Sequence, residues 1–114
     1  MKVLFVHQNF PGQFGGLVDR LIAEDVAVAA IGARDFHHDR IRYLRYGSPM
    51  VQQSNDLSID DASGRLRRAS AVAAQARLLQ RDGFEPDLMI VHSGWGEALY
   101  LRDIFPRARL VCYC

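Results

Sequence analysis

The chain has 114 residues, 49% apolar and 24% charged, which suits one soluble globular domain and excludes a disordered tail. Fourteen basic residues against 13 acidic ones leave a net charge of +1, too little to attract nucleic acid by a general field. No stretch approaches the roughly 20 apolar residues of a membrane span, and the opening MKVLFV turns polar at His7-Gln8-Asn9 without the cleavage site of a secretory signal. The expectation is a soluble, cytoplasmic protein, peripheral to a membrane at most.

Lys2-Val3-Leu4-Phe5-Val6 is apolar nearly throughout, the pattern of a strand buried on both faces of a parallel sheet. It runs into HQNFPGQFGG. Beyond the turn, Phe14, Leu17, Val18, Leu21 and Ile22 take helical spacing, and the helix should end near Glu24-Asp25. Val26 to Ile31 reads as a second buried strand closed by Gly32, which completes a strand, turn, helix, strand unit. Ile41 to Tyr46 has the composition of a third, edge strand, stopped by Gly47-Ser48-Pro49.

Gln52 to Asp61 reads as polar loop. A long helix is predicted from about Ala62 to Arg81, with Leu66, Ala69, Val72, Ala73, Ala76 and Leu79 on one apolar stripe and Gly83 as its cap. Leu88 to Val91 is another buried strand, followed by the loop HSGWGE. A helix of about ten residues is expected next, carrying Ala98, Leu99, Leu101, Arg102 and Phe105 and stopped by Pro106. Arg109 to Tyr113 is the last strand. Cys112 and Cys114 fall short of a zinc site without further cysteines, and they read as free thiols, buried or half-buried.

Strands alternating with helices across short loops imply an α/β domain with a parallel sheet covered on both faces. Right-handed crossovers then favour a Rossmann-like, doubly wound strand order of 3-2-1-4-5 within a single domain, residues 1–114. In that order strands 1 and 4 are neighbours where the winding reverses, and ligands bind in the crevice outside their carboxyl ends. The two loops that reach this crevice, His7 to Gly16 and His92 to Glu97, are the most unusual pieces of the sequence.

The first loop carries glycines at 12, 15 and 16 before a helix, so backbone N–H groups there could receive a phosphate or pyrophosphate. Its spacing matches neither the dinucleotide nor the phosphate-loop fingerprint, and the plainer reading is a glycine-tightened corner. In the second loop His92 could donate to a hydroxyl or a phosphate. Trp95 offers a flat apolar face for a sugar ring or base, or else caps the core. Glu97 could bind hydroxyls or act as a base, or else simply complements a helix dipole. His7 ends the first strand as His92 ends the fourth, so both should face one crevice, with Asn9 and Gln13 adding neutral hydrogen-bonding groups. His37 and His38 read as solvated loop residues rather than metal ligands. The arginines at 65, 67, 68, 77 and 81 read as the wet face of the long helix.

HQNFPGQF after the first strand, together with HSGWGEALYLRDIFPRARLVCY, resembles the N-terminal domain of family 4 glycosyltransferases, whose bacterial members carry His-Pro-Gly-Trp-Gly-Glu near the second position. The likeness covers residues 1 to 14 and 86 to 113, with Ser93 standing where those relatives have proline. It implies the GT-B arrangement of two Rossmann-like domains across a cleft, with the acceptor on the N-terminal side and the nucleotide-sugar on the other. It further implies transfer with retention, no metal, and no cofactor beyond the nucleotide-diphospho-sugar donor.

By that resemblance Gly12 approaches the donor diphosphate, His92 contacts the donor sugar, and Trp95, Gly96 and Glu97 shape the sugar or acceptor pocket. His92 and Glu97 are then the catalytic candidates, and His7, Asn9, Gly12, Gln13, Trp95 and Gly96 the substrate- or donor-binding ones. A complete enzyme of this kind needs two ordinary domains and about 350 residues. The chain therefore reads as an N-terminal domain without its donor-binding partner, inactive alone. A second copy could dimerise with it over the sheet surface left uncovered.

The main alternative is a non-catalytic nucleotide- or phosphate-binding α/β module. Against a phosphoacceptor domain, no acidic pair follows the first strand. Against a flavodoxin, the first loop lacks a Ser/Thr-rich cradle. A dinucleotide-dependent enzyme would need G-x-G-x-x-G and an acidic residue closing strand 2, where only a late Asp35 is present.

Overall fold

The computed structural model describes residues 1–47, 57–92, 98 and 100–113. Among them a five-stranded, all-parallel sheet has the order β3-β2-β1-β4-β5, as the alternation of elements predicts. The strands are β1 (Lys2–Val6), β2 (Ala27–Gly32), β3 (Ile41–Arg45), β4 (Leu88–His92) and β5 (Arg109–Tyr113). A single 3-10 turn, Gly12–Phe14, leads into α1 (Gly15–Ala23); α2 spans Leu57–Arg81 and α3 Leu101–Ile104.

The two-residue period of a strand sends alternate side chains to opposite faces, and here both faces are apolar. Leu4, Val6, Ala29, Ile31, Met89 and Val91 meet α2, through Val72, Ala73, Ala76 and Leu79, and α3 with Phe105. Val3, Phe5, Val28, Ala30 and Ile90 meet Val18 of α1 together with Phe10 and Phe14. Fully burying one of the larger of these side chains contributes about 1.5–3 kcal/mol, so the two layers hold the ends of β1 and β4 in a rigid register. In that register Phe5 stands between Ala30 and Ile90, and Val6 between Ile31 and Val91.

The helix ends are closed by backbone geometry. Asp25 adopts a left-handed φ of 60° after α1, and Gly83 takes 87° after α2, where the N–H of Phe84 donates to Leu79 O at 2.9 Å. The sheet also starts in register: the Lys2 N–H donates to Asp87 Oδ2 at 2.8 Å while the Asp87 N–H donates to Lys2 O at 2.8 Å.

Four details differ from expectation. Helix α2 begins at Leu57 rather than Ala62: the sequence from Leu57 to Asp61 holds no glycine or proline that would break a helix. Helix α3 is only Leu101–Ile104; the Asp103 N–H bonds back three residues to Tyr100 O, and Phe105 follows with ψ 71°. Leu66, placed on the buried stripe of α2, is 51% exposed, and Leu17 of α1 is exposed as well. Cys112 is exposed rather than buried, because strand β5 lies at the sheet edge with little packed over it; Cys114 lies outside the described residues.

The exposure of Leu66 follows from length. A helix of 25 residues extends about 37 Å, whereas a five-residue strand covers about 17 Å. Since α2 runs back toward the start of β4, its N-terminal part overhangs the carboxyl ends of the strands. No helix among the described residues is long and apolar enough to cross a membrane.

Candidate functional site

Strands β1 and β4 are neighbours at the reversal of winding, and each leads into a histidine at its carboxyl end. The rings of His7 and His92 lie there with centroids 4.7 Å apart, tilted by 46°. The two imidazoles therefore meet at the carboxyl ends of neighbouring strands. His7 is 8% exposed, the one buried polar side chain of the described core, and its backbone N–H continues the sheet by donating to Ile31 O at 3.1 Å.

A tight turn fixes the His7 ring. The Phe10 N–H donates to His7 O at 3.1 Å, and the Asn9 N–H donates to His7 Nδ1 at 2.9 Å. With Nδ1 acting as an acceptor, neutral His7 carries its proton on Nε2. The Phe10-Pro11 peptide is cis, and the chain then crosses back over the ring at Gly12, which has φ +48°. A Cβ at Gly12 would lie 2.7 Å from His7 Nε2, so only glycine lets the backbone pass so close. Gly15 and Gly16, by contrast, have open space where a Cβ would stand.

Two aromatic side chains anchor this loop: Phe14, which the helical spacing already marks as apolar and inward, and Phe10, which no periodicity marks. Phe10 is fully buried, with ring contacts to Phe5 at 5.9 Å, Phe36 at 5.0 Å and Tyr43 at 5.9 Å. Phe14 packs on Phe5 and, edge to face, on His7, both at 5.5 Å. The signal was the Phe-Pro-Gly-Gln-Phe string itself, two apolar rings bracketing a turn that otherwise reads as polar.

Burial of the ring, with the neighbouring His92 imidazole as a second cause, holds the His7 pKa below the usual histidine value. Its partner has a different peculiarity. His92 Nδ1 is buried and has no hydrogen-bond partner among the described residues, the only such side-chain atom found there. The arrangement can thus offer an N–H from a fixed His7 tautomer, an unsatisfied nitrogen on His92, and a closely approaching backbone at Gly12.

Of the other candidates, Asn9 contributes its backbone to the turn while its side chain is exposed, and Gln13 is exposed on the 3-10 turn. Trp95, Gly96 and Glu97 lie outside the described residues. His37 is solvated and pairs with Asp39 at 3.1 Å, and among the described residues no cluster of three or more His, Cys, Asp or Glu side chains could hold a metal. A groove of about 270 Å³ between Gln80, Glu85, Ile104 and Arg107 borders the segments that lead into β4 and β5. Ligands of such sheets bind at the other, carboxyl end, so the histidine pair is the better candidate.

The family model described as glycosyl transferase family 4 group matches residues 24–114. The chain belongs to that family. The match takes in His92 and the loop after it but begins beyond the Gly12 turn, so the first of the two resembling strings lies outside it. Among solved structures, this family 4 chain is similar to Os79 T291V from O. sativa, a crystal structure in complex with UDP. The TM-score is 0.64 at 11% identity, over 98% of this chain and 28% of the other, which is a likeness of fold. Curated proteins yield no match.

Proposed function

We propose that the chain is the N-terminal, acceptor-side domain of a retaining GT-B glycosyltransferase that moves a sugar from a nucleotide-diphospho-sugar to an acceptor hydroxyl. The observation that carries this reading is the meeting of His7 and His92 beside the Gly12 turn, at the winding reversal of a family 4 chain. The likeness in fold to Os79, crystallised with UDP, supports a nucleoside diphosphate as leaving group. That the chain spans 28% of the Os79 chain supports a second domain, holding the nucleotide, on the far side of a cleft.

In this reading His92 orients the donor sugar, and Gly12 lets backbone N–H groups approach the diphosphate. His7, Asn9 and Gln13 supply further hydrogen bonds. Trp95 and Gly96 shape the sugar pocket, and Glu97 receives a hydroxyl. The bond between the anomeric carbon and the diphosphate oxygen breaks. The acceptor oxygen bonds to the same carbon on the same face, and its proton leaves with the diphosphate. Positioning and fixed dipoles, rather than a metal, supply the stabilisation. The chain alone binds but does not transfer, and the enzyme works in the bacterial cytoplasm. The exposed face of β5, with Val111 and Tyr113, is where further protein or a second copy packs.

Calorimetry and amide shifts with UDP, GDP-mannose and NAD test the reading. Sugar nucleotides should bind and move the His7, Gly12 and His92 resonances, and adding the donor-binding domain should restore transfer. Binding of NAD alone would point to a dinucleotide enzyme. Diphosphate binding that never yields transfer would leave a non-catalytic module.

A further inference from the structure

We propose that His7 and His92 act as one proton-linked anion receptor: the pair takes up a single proton as a diphosphate settles beside Gly12. This rests on the glycosyltransferase reading and adds to it the way the leaving group is recognised. Two imidazoles with centroids 4.7 Å apart cannot both be charged without strong mutual repulsion, so the pair has room for one added proton and not two. His7 is too deeply buried to hold a charge cheaply, and the Asn9 N–H occupies its Nδ1, leaving Nε2–H on the side where Gly12 crosses. His92 contributes a buried Nδ1 that nothing among the described residues satisfies. Such a pair is neutral when empty and incompletely hydrogen-bonded. An anion supplies both the missing acceptor and the countercharge that makes a first protonation favourable.

Three elements face the pair. The 3-10 turn brings Gly12 and the Phe14 ring, the end of β2 brings the Ile31 carbonyl and Gly32, and β5 brings Tyr113, which is opposite His92 in register. The one ionisable group that acts on His7 is His92. Arg34, Asp35 and Arg45 act on Tyr43, farther along the β2–β3 side. Glu97 lies outside the described residues.

Titration calorimetry of the chain with UDP and with inorganic pyrophosphate, in buffers of different ionisation enthalpy, measures the proton directly. Uptake near one proton per site at pH 7.5 is expected, with affinity weakening about tenfold per pH unit between pH 7 and 8.5. Equal affinities for the two probes would assign the receptor to the diphosphate alone, and tighter UDP to a nucleotide donor; both support the proposal. With His7 Nδ1 held by the Asn9 N–H, the proton goes to His92, so His92→Gln, which keeps an N–H donor but cannot take up a proton, should show an affinity that no longer depends on pH. Should UDP bind with no proton uptake and a flat pH profile, the inference is overturned while the glycosyltransferase reading stands. Absence of binding by either probe also overturns the receptor, while the glycosyltransferase reading, in which a second domain holds the nucleotide, stands.

Discussion

Gly12 passes over the ring of His7 so closely that a methyl group on its Cα would sit 2.7 Å from Nε2 and 2.8 Å from Cε1. The ring cannot give way, because the Asn9 N–H holds its Nδ1 and Phe14 meets it edge to face at 5.5 Å. Gly12→Ala adds the cost of a left-handed φ of +48°, about 1–2 kcal/mol on its own, to that clash. Urea unfolding should therefore show a loss of at least about 2 kcal/mol. Gly16→Ala, in the first turn of α1 with open space at the Cβ position, should be neutral or stabilise by up to about 1 kcal/mol. Equal losses in the two variants would mean that the turn does not cross the imidazole.

Burial and the adjacent His92 hold the His7 pKa below the value it has in the unfolded chain. At pH values above about 6.5 neither state binds this proton, and His7 adds no pH dependence. As pH falls through that value the unfolded chain protonates first, so stability drops until the lowered folded pKa is passed. Unfolding free energy measured from pH 7.5 to 5 should decline by at most about 1.4 kcal/mol per pH unit within that window. His7→Gln should remove that slope, whatever its offset at pH 7.5. A variant with the wild-type slope would show that other groups cause the decline.

The strand order could be read from the chain because β1, β2 and β4 are apolar runs buried on both faces, a pattern that only a covered parallel sheet explains. His7 and His92 were legible for the same reason, as the first polar residues after or at the ends of neighbouring strands. What sequence pattern could not convey is where an element outruns its partner. Leu66 keeps the helical spacing of Ala69 and Val72, yet it stands where α2 overhangs the sheet and is half exposed. Cys112 has the composition of a core strand but belongs to an edge. Phe10 was equally hidden, since a ring that folds back beneath its own loop leaves no period in the sequence.

The close packing of α2 on the sheet depends on small side chains. Ala76 is fully buried between Val72, Leu79 and the apolar face of the strands, so Ala76→Leu must displace neighbours already in contact. A loss of about 1–3 kcal/mol is expected in thermal or urea unfolding. Leu66→Ser, on the overhanging part of the same helix, should stay within about 0.5 kcal/mol of wild type. A large loss from Leu66→Ser would imply that the overhang is covered by other protein in solution.

Gly32 closes β2 under two neighbours at once. A Cβ there would meet the Tyr43 hydroxyl at 2.5 Å and the His7 carbonyl at 2.9 Å. The hydroxyl is held in place by donating to Arg34 O at 2.6 Å, and the carbonyl accepts from the Phe10 N–H, so neither yields without breaking a hydrogen bond. Gly32→Ala should cost about 1–3 kcal/mol and also loosen the His7 turn, visible as faster exchange of the Phe10 amide. Tyr43→Phe alone should cost about 1 kcal/mol through the lost bond to Arg34 O. In the double variant the hydroxyl contact is gone while the carbonyl contact remains, so the combined loss should fall short of the sum by about 0.5–1 kcal/mol. Strict additivity would mean that the strain lies wholly against the His7 carbonyl, and the Phe10 amide would then exchange as fast in the double variant as in Gly32→Ala.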